Sequence, residues 1–149
     1  MSDLSLKFLL PAPRHLIWRC WAEPELLKQW FMPRPVETIR AEIDLRPGGR
    51  FDTVVRIDGT EHTSKGSFLE AKPCERLVFT DAFGAGYQPL ENPFFVAIVT
   101  MEDRQDQTDY SVLVRHKSKA DAEWHENMGF SKGWSQALTQ LGELAASLA

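Results

Sequence analysis

Three of the four histidines, His62, His116 and His125, are the side chains best suited to acid–base or metal chemistry in this sequence. Imidazole titrates near neutral pH and binds metals through either ring nitrogen. None of the three stands in a metal-ligand spacing. Glu61-His62 and His125-Glu126 are sequence neighbours, and on a strand such neighbours point to opposite faces. A structural or surface role is the commoner fate of each such histidine. His116 is the strongest candidate, because it shares parity with Tyr110, Val112 and Val114 in an alternating run and is expected to point inward with them. Glu61 and Glu70 fall on one predicted strand with opposite parity, so they do not form a carboxylate pair. Glu70 is assigned to support of the Pro73 turn. No Ser, Cys or Thr has a base and an orienting group arranged as in a triad. Cys20 lies on the apolar face of a predicted helix and reads as core. Gly48-Gly49 lacks the lysine and the following helix of a phosphate loop. No catalytic residue is assigned, and no metal or cofactor is called for.

The second group with chemical potential is aromatic. The chain has five tryptophans, and rings of this size fill either a core or a pocket wall. Trp30, Phe51, Trp124 and Met128 are candidates for such a wall, with core packing as the alternative for Trp30 and Phe51. Tyr110 and His116 would face it from the last strand. Phe83 and Tyr87 sit among Gly84, Gly86, Pro89 and Pro93, in a loop long enough to act as a lid. His62 completes the candidate set.

These residues are positioned by strands bracketed by helices. Leu4 to Leu9 reads as a strand. Pro13 and Pro24 suit the first turns of two short helices, the first over Arg14 to Trp21 and the second carrying Leu26, Leu27 and Trp30. Val36 to Leu45 and Phe51 to Ile57 alternate as strands around the Arg46-Pro47-Gly48-Gly49 turn. Asp58-Gly59 marks a hairpin, followed by a strand from Thr60 to about Ala71 and another over Leu77 to Thr80. Asp81 to Pro93 is the loop. Phe94 to Met101 and Tyr110 to His116 are strands joined by a polar tip over Asp103 to Asp109. Side-chain facing in 66–71 and 94–101 is open, since a bulge would reverse it. From Asp121 the period becomes helical, with Trp134, Leu138, Leu141, Ala145 and Leu148 on one stripe. That predicts a helix of about 28 residues, roughly 42 Å long. Gly129, Gly133 and Gly142 predict close backbone approach or a bend near its middle.

Bulk properties bound the function classes. The length of 149 residues fits a single domain over 1–149, able to bury roughly 70% of its unfolded surface. The net charge of −4 and the absence of a basic run argue against nucleic-acid binding. Two cysteines make no disulfide scaffold. The first residues do not form a signal peptide, and no apolar run approaches the ~20 residues of a membrane span. A cytoplasmic protein is expected.

Four segments in order, PRHLIWRCWAEPELLKQWF, EIDLRPGGRFD, DGTEHTSKGSFLEAKPCERLVFT and MGFSKGWSQALTQLGELAASL, resemble the activator of heat-shock-protein-90 ATPase homologue family. That family lies in the START-like (SRPBCC) superfamily, together with polyketide cyclases and lipid-transfer domains. The resemblance covers nearly the whole chain. It implies an α+β, helix-grip (START-like) fold, in which a curved antiparallel sheet wraps a long C-terminal helix behind two short N-terminal helices. A twisted sheet and a straight helix cannot stay in contact along their whole length. Contact is expected to be closest along Trp134 to Leu148, with a gap toward Trp124 to Phe130 closed by the Phe83–Tyr87 loop. The family carries no shared catalytic motif to transfer.

The leading expectation is a module that binds a small hydrophobic molecule, a lipid or an aromatic metabolite, between sheet and helix. An enzyme of cyclase, hydrolase or isomerase type, using a pocket histidine, is the alternative. Two titratable groups converging in the pocket would favour it. The third reading is chaperone contact, which the family name carries. It is discounted because that activity also needs a separate N-terminal domain, for which this chain has no room. A monomer or weak homodimer is expected.

Overall fold

The computed structural model describes residues 3–149. In chain order the elements are β1 (Asp3–Leu10), α1 (Arg14–Ala22), α2 (Pro24–Leu27), β2 (Glu37–Ile43), β3 (Phe51–Ile57), β4 (Thr60–Ser64), β5 (Ser67–Lys72) and β6 (Arg76–Thr80). Then come β7 (Phe83–Gly84), a 3-10 turn (Ala85–Tyr87), β8 (Gln88–Pro89), β9 (Phe95–Arg104), β10 (Gln107–His116), α3 (Lys119–Asn127) and α4 (Phe130–Ser147). Among the described residues no helix is long and apolar enough to cross a membrane.

The antiparallel strands divide into a five-stranded sheet, β1-β10-β9-β6-β5, a three-stranded sheet, β2-β3-β4, and the short β7-β8 pair. The predicted strand from Thr60 to Ala71 is thus two strands in different sheets. The reason is burial: residues 60–65 are exposed while Gly66, Ser67 and Phe68 are buried. The chain changes partner where it enters the core. The sheets are stitched together there by Phe51 N–H to Gly66 O (3.0 Å), Phe68 N–H to Gly49 O (3.0 Å) and Gly48 N–H to Phe68 O (2.7 Å).

Local chemistry explains the turns. Asp58 and Gly59 take φ of 50° and 80°, the left-handed pair of a two-residue hairpin. Gln105 and Asp106 do the same, at 49° and 67°. The ladder therefore continues to Gln107 opposite Arg104, and the predicted polar tip over Asp103–Asp109 shrinks to two residues. Ser67 and Phe68 at the start of β5 are both buried; a bulge follows between Phe68 and Glu70, and Glu70 accepts from Arg76 Nε at 3.0 Å. In β9, Ala97, Val99 and Met101 are buried, so this parity faces the helices.

The core lies between the five-stranded sheet, α1 and α4. Trp21 packs on Trp30 (5.0 Å between ring centroids) and Phe79 (5.5 Å), while Phe51 stacks on Phe68 at 5.0 Å. The buried polar atoms of these rings are matched, as they must be in an apolar interior. Trp21 Nε1–H donates to Tyr110 Oη (3.0 Å) and Trp30 Nε1–H to the Cys20 carbonyl (2.9 Å). Burial pushes the Cys20 thiol up to about 11, in keeping with a core cysteine.

The C-terminal helix is not one rod. Ser118 caps α3 by accepting from Asp121 N–H at 3.1 Å, which places the helix start before the predicted Asp121. Gly129, at φ 105°, then ends the first helix before α4 begins at Phe130. A residue with a Cβ is strained at that φ, so glycine is what allows the two helices to meet at an angle.

Candidate functional site

A cavity of about 290 Å³ opens between the sheet and the helices, at the small end of the range for ligand pockets. Three segments wall it. The α2–β2 connection supplies Trp30, Phe31, Met32 and Pro33; the sheet supplies Phe79, Phe95 and Val114; and the helix break supplies His125, Met128, Gly129, Phe130, Gly133, Trp134 and Ala137. The glycines at 129 and 133 remove side chains on the side where the helix would otherwise fill the gap. The Trp134 ring of α4 lies nearly parallel to Phe79 of the sheet, 26° between planes at 6.5 Å, so aromatic rings meet across the cavity's edge.

The α2–β2 wall is held mainly by Gln140, with Gln136 Nε2 donating to the Arg34 carbonyl at 3.2 Å. Gln140 on α4 is 4% exposed and makes three bonds to that segment. Its Oε1 accepts from Arg34 N–H at 3.0 Å, and its Nε2 donates to the carbonyls of Trp30 (3.1 Å) and Met32 (2.9 Å). These loop groups have no strand or helix to pair them, so a buried amide with both donor and acceptor suits the place.

The polar corner of the cavity is a pair of imidazoles. His116, at the end of β10, is 8% exposed, continuing the inward alternation of Tyr110, Val112 and Val114. Its Nε2 lies 2.8 Å from Nδ1 of His125 on α3. Phe94 packs against both rings, at 5.2 and 5.1 Å, and Phe130 meets His125 edge-on at 5.0 Å. Asp81 holds Phe94 in place, its Oδ1 accepting from the backbone N–H groups of Phe94 (2.9 Å) and Phe95 (3.1 Å). Burial first, and the neighbouring His116 ring second, hold His125 below the usual histidine value, against a smaller opposing pull from Glu126 and Asp81. Among the described residues no group of three or more His, Cys, Asp or Glu side chains could hold a metal.

Of the residues singled out from the sequence, Trp30 and Met128 line the cavity and His116 stands behind His125. Trp124 is 58% exposed and covers Phe94 edge-on at 5.4 Å, on the outer side of the histidine pair. Phe51 and Tyr110 are core, one layer beneath the wall: Phe51 packs on Phe31 and Phe79, and Tyr110 accepts from Trp21. His62 is exposed on β4, across from Val55 in the other sheet. The Phe83–Tyr87 loop does not line the cavity. It folds onto the β2–β3 turn, with Gly86 N–H bonded to Gly48 O at 2.9 Å and the Tyr87 ring against Gly48, where a Cβ would come within 2.7 Å. Gly48 has no side chain to exclude the Tyr87 ring, and its carbonyl accepts from the loop. Sequence reasoning passed over Phe31, Phe79, Phe95, Phe130 and Trp134 as wall residues, and ranked His125 behind His116. Two signals pointed there: Gly129 inside a helical pattern, and the aromatic residues clustered on either side of it.

A curved antiparallel sheet holding a C-terminal helix, with an apolar cavity where the two diverge, defines a helix-grip, START-like domain. The chain belongs to the family described as activator of Hsp90 ATPase homolog 1-like protein, which matches residues 11–146. A crystal structure of a protein from Nitrosomonas europaea is 37% identical, with a TM-score of 0.95 over 99% of this chain and 96% of that one. Two further structures share the fold alone. One is from Mycobacterium smegmatis, at 22% identity and TM-score 0.78 over 96% of this chain and 90% of that one. The other is an AHSA1-like protein from Aeromonas hydrophila, at 14% identity and TM-score 0.74 over 98% of this chain and 93% of that one. No curated protein matches the chain.

Proposed function

We propose that the protein binds a small hydrophobic molecule in the cavity between the sheet and the broken C-terminal helix. The observation that carries this reading is a gap walled almost wholly by aromatic and aliphatic side chains, its rim held by the Gln140 clamp rather than collapsed. Apolar surface of this kind gains by being covered. A cavity of about 290 Å³ has room for about ten water-sized groups at ~30 Å³ each. That favours an aromatic metabolite over a two-chain lipid. The test is an NMR titration of the purified protein with small ring compounds, alongside native mass spectrometry of protein isolated gently from its host. Amide shifts gathered at 30–33 and 128–137, or a stoichiometric apolar passenger, are the expected results. If no compound moves the cavity residues and no passenger is found, the gap is unfilled core and the reading fails.

A second reading, a cyclase-, hydrolase- or isomerase-type enzyme, gains support from the convergence of His116 and His125 at the cavity. Two imidazoles in hydrogen-bond contact can pass a proton between ring nitrogens. Turnover of a bound carbonyl compound that disappears in His125→Leu would favour catalysis over binding. Neither reading calls on a chaperone.

A further inference from the structure

His125 uses half of its hydrogen-bonding capacity inside the protein. Its Nδ1 is engaged by Nε2 of His116 at 2.8 Å, while among the described residues its Nε2 has no partner and is not sealed in the core. The same side chain lines the cavity, and no lysine, arginine, aspartate or glutamate lines it beside His125. With burial and the His116 ring both holding it below the ordinary value, His125 is neutral at pH 7.

A neutral imidazole has one N–H and one lone pair. If His116 Nε2 donates in the pair, His125 presents Nε2–H to the cavity. If His125 Nδ1 donates, it presents the Nε2 lone pair instead. A hydroxyl both donates and accepts, so it is satisfied by either arrangement, whereas a carbonyl is satisfied by one only. A carboxylate would stand in an apolar wall with no cation opposite, and an unpaired buried charge is strongly disfavoured. The room for about ten non-hydrogen atoms and the aromatic rings that dominate the lining favour a flat body of one or two rings.

We infer, resting on the ligand-site reading above, that the occupant is a compact ring-based molecule with one neutral hydroxyl seated on Nε2 of His125. His116 is the positioning residue that holds the His125 ring for it.

The experiment compares naphthalene, 2-naphthol and 2-naphthoate as probes on the full chain, by NMR titration with nitrogen-15 detection of the histidine rings. 2-Naphthol is expected to bind about tenfold more tightly than naphthalene, as one hydrogen bond provides, and to shift the His125 Nε2 resonance; naphthalene leaves that resonance in place. His125→Leu should bring the two affinities together, and His125→Gln, which keeps a donor and an acceptor, should restore part of the preference. His116→Phe should change the tautomer balance and the titration of His125 while leaving naphthalene affinity unaltered. If naphthalene binds at the cavity as well as 2-naphthol does, the hydroxyl assignment is wrong while the ligand site stands. Tightest binding of 2-naphthoate would overturn the neutral head group. Failure of all three probes to reach the cavity would remove the site itself, and an unchanged His125 ring in His116→Phe would remove the positioning role.

Discussion

Two stretches of the C-terminal segment face the same sheet with different results. Along the second half of α4, Leu138, Leu141 and Ala145 are fully buried, each a helical step from the last, and pack into the core cluster. Between Trp124 and Trp134 apolar side chains are fewer and mostly aromatic, Trp124 and Met128 are 58% and 62% exposed, and a cavity lies beneath. The difference lies in periodicity as well as in the number of apolar side chains. Aliphatic residues repeated at helical spacing interdigitate with the sheet. Where Gly129 interrupts the period, the large rings on either side pack against one another and against Phe94 and Phe79, leaving the centre open.

The contrast can be broken from the packed side first. Trp21→Ala removes the ring at the middle of the aromatic cluster and takes the donor from Tyr110 Oη. It should lower stability by about 3–5 kcal/mol, read as a shift in the urea midpoint. Gln140→Ala leaves two carbonyls and one N–H of the α2–β2 connection unpaired, and should lose about 2–3 kcal/mol in the same measurement. It should also weaken binding at the cavity, which Trp21→Ala does only through unfolding. Gly129→Ala forces a Cβ onto φ 105° and should cost about 1–2 kcal/mol, with amide shifts confined to the cavity side.

A change of pH sharpens the comparison with a smaller effect. His125 has a lowered folded value, so the unfolded chain binds the proton more readily. Its contribution to stability is therefore complete above the unfolded value of about 6.5 and is lost as pH falls through the lower folded value. The urea midpoint should decline across that window, and less steeply in His125→Phe. Met128→Ala, by contrast, should change stability by less than about 0.5 kcal/mol because the side chain is mostly outside, and should act on ligand affinity alone.

Much of the fold is legible in the chain. The prolines at 13 and 24, the Asp58-Gly59 hairpin, and the alternation from Tyr110 to His116 each report a local backbone preference or a single buried face, and local rules suffice for them. The Thr60–Ala71 stretch is different. Its division between two sheets depends on which partners its two halves meet, and a period-2 pattern does not name a partner. The same limit explains Phe83 and Tyr87: composition identifies a loop with exposed rings, but what the loop touches is decided by Gly48, far away in sequence.

By itself the sequence determined the elements, their order and the stripe on α4, because these follow from side-chain period and turn chemistry within a few residues. Only the tertiary structure decided that His116 and His125 meet, that Gln140 clamps the α2–β2 connection, and that the cavity falls at Gly129. Those depend on the angle between two helices and on the curvature of a sheet closed by strands remote in the chain. Such angles are set by packing of the whole core and are not encoded at any one position.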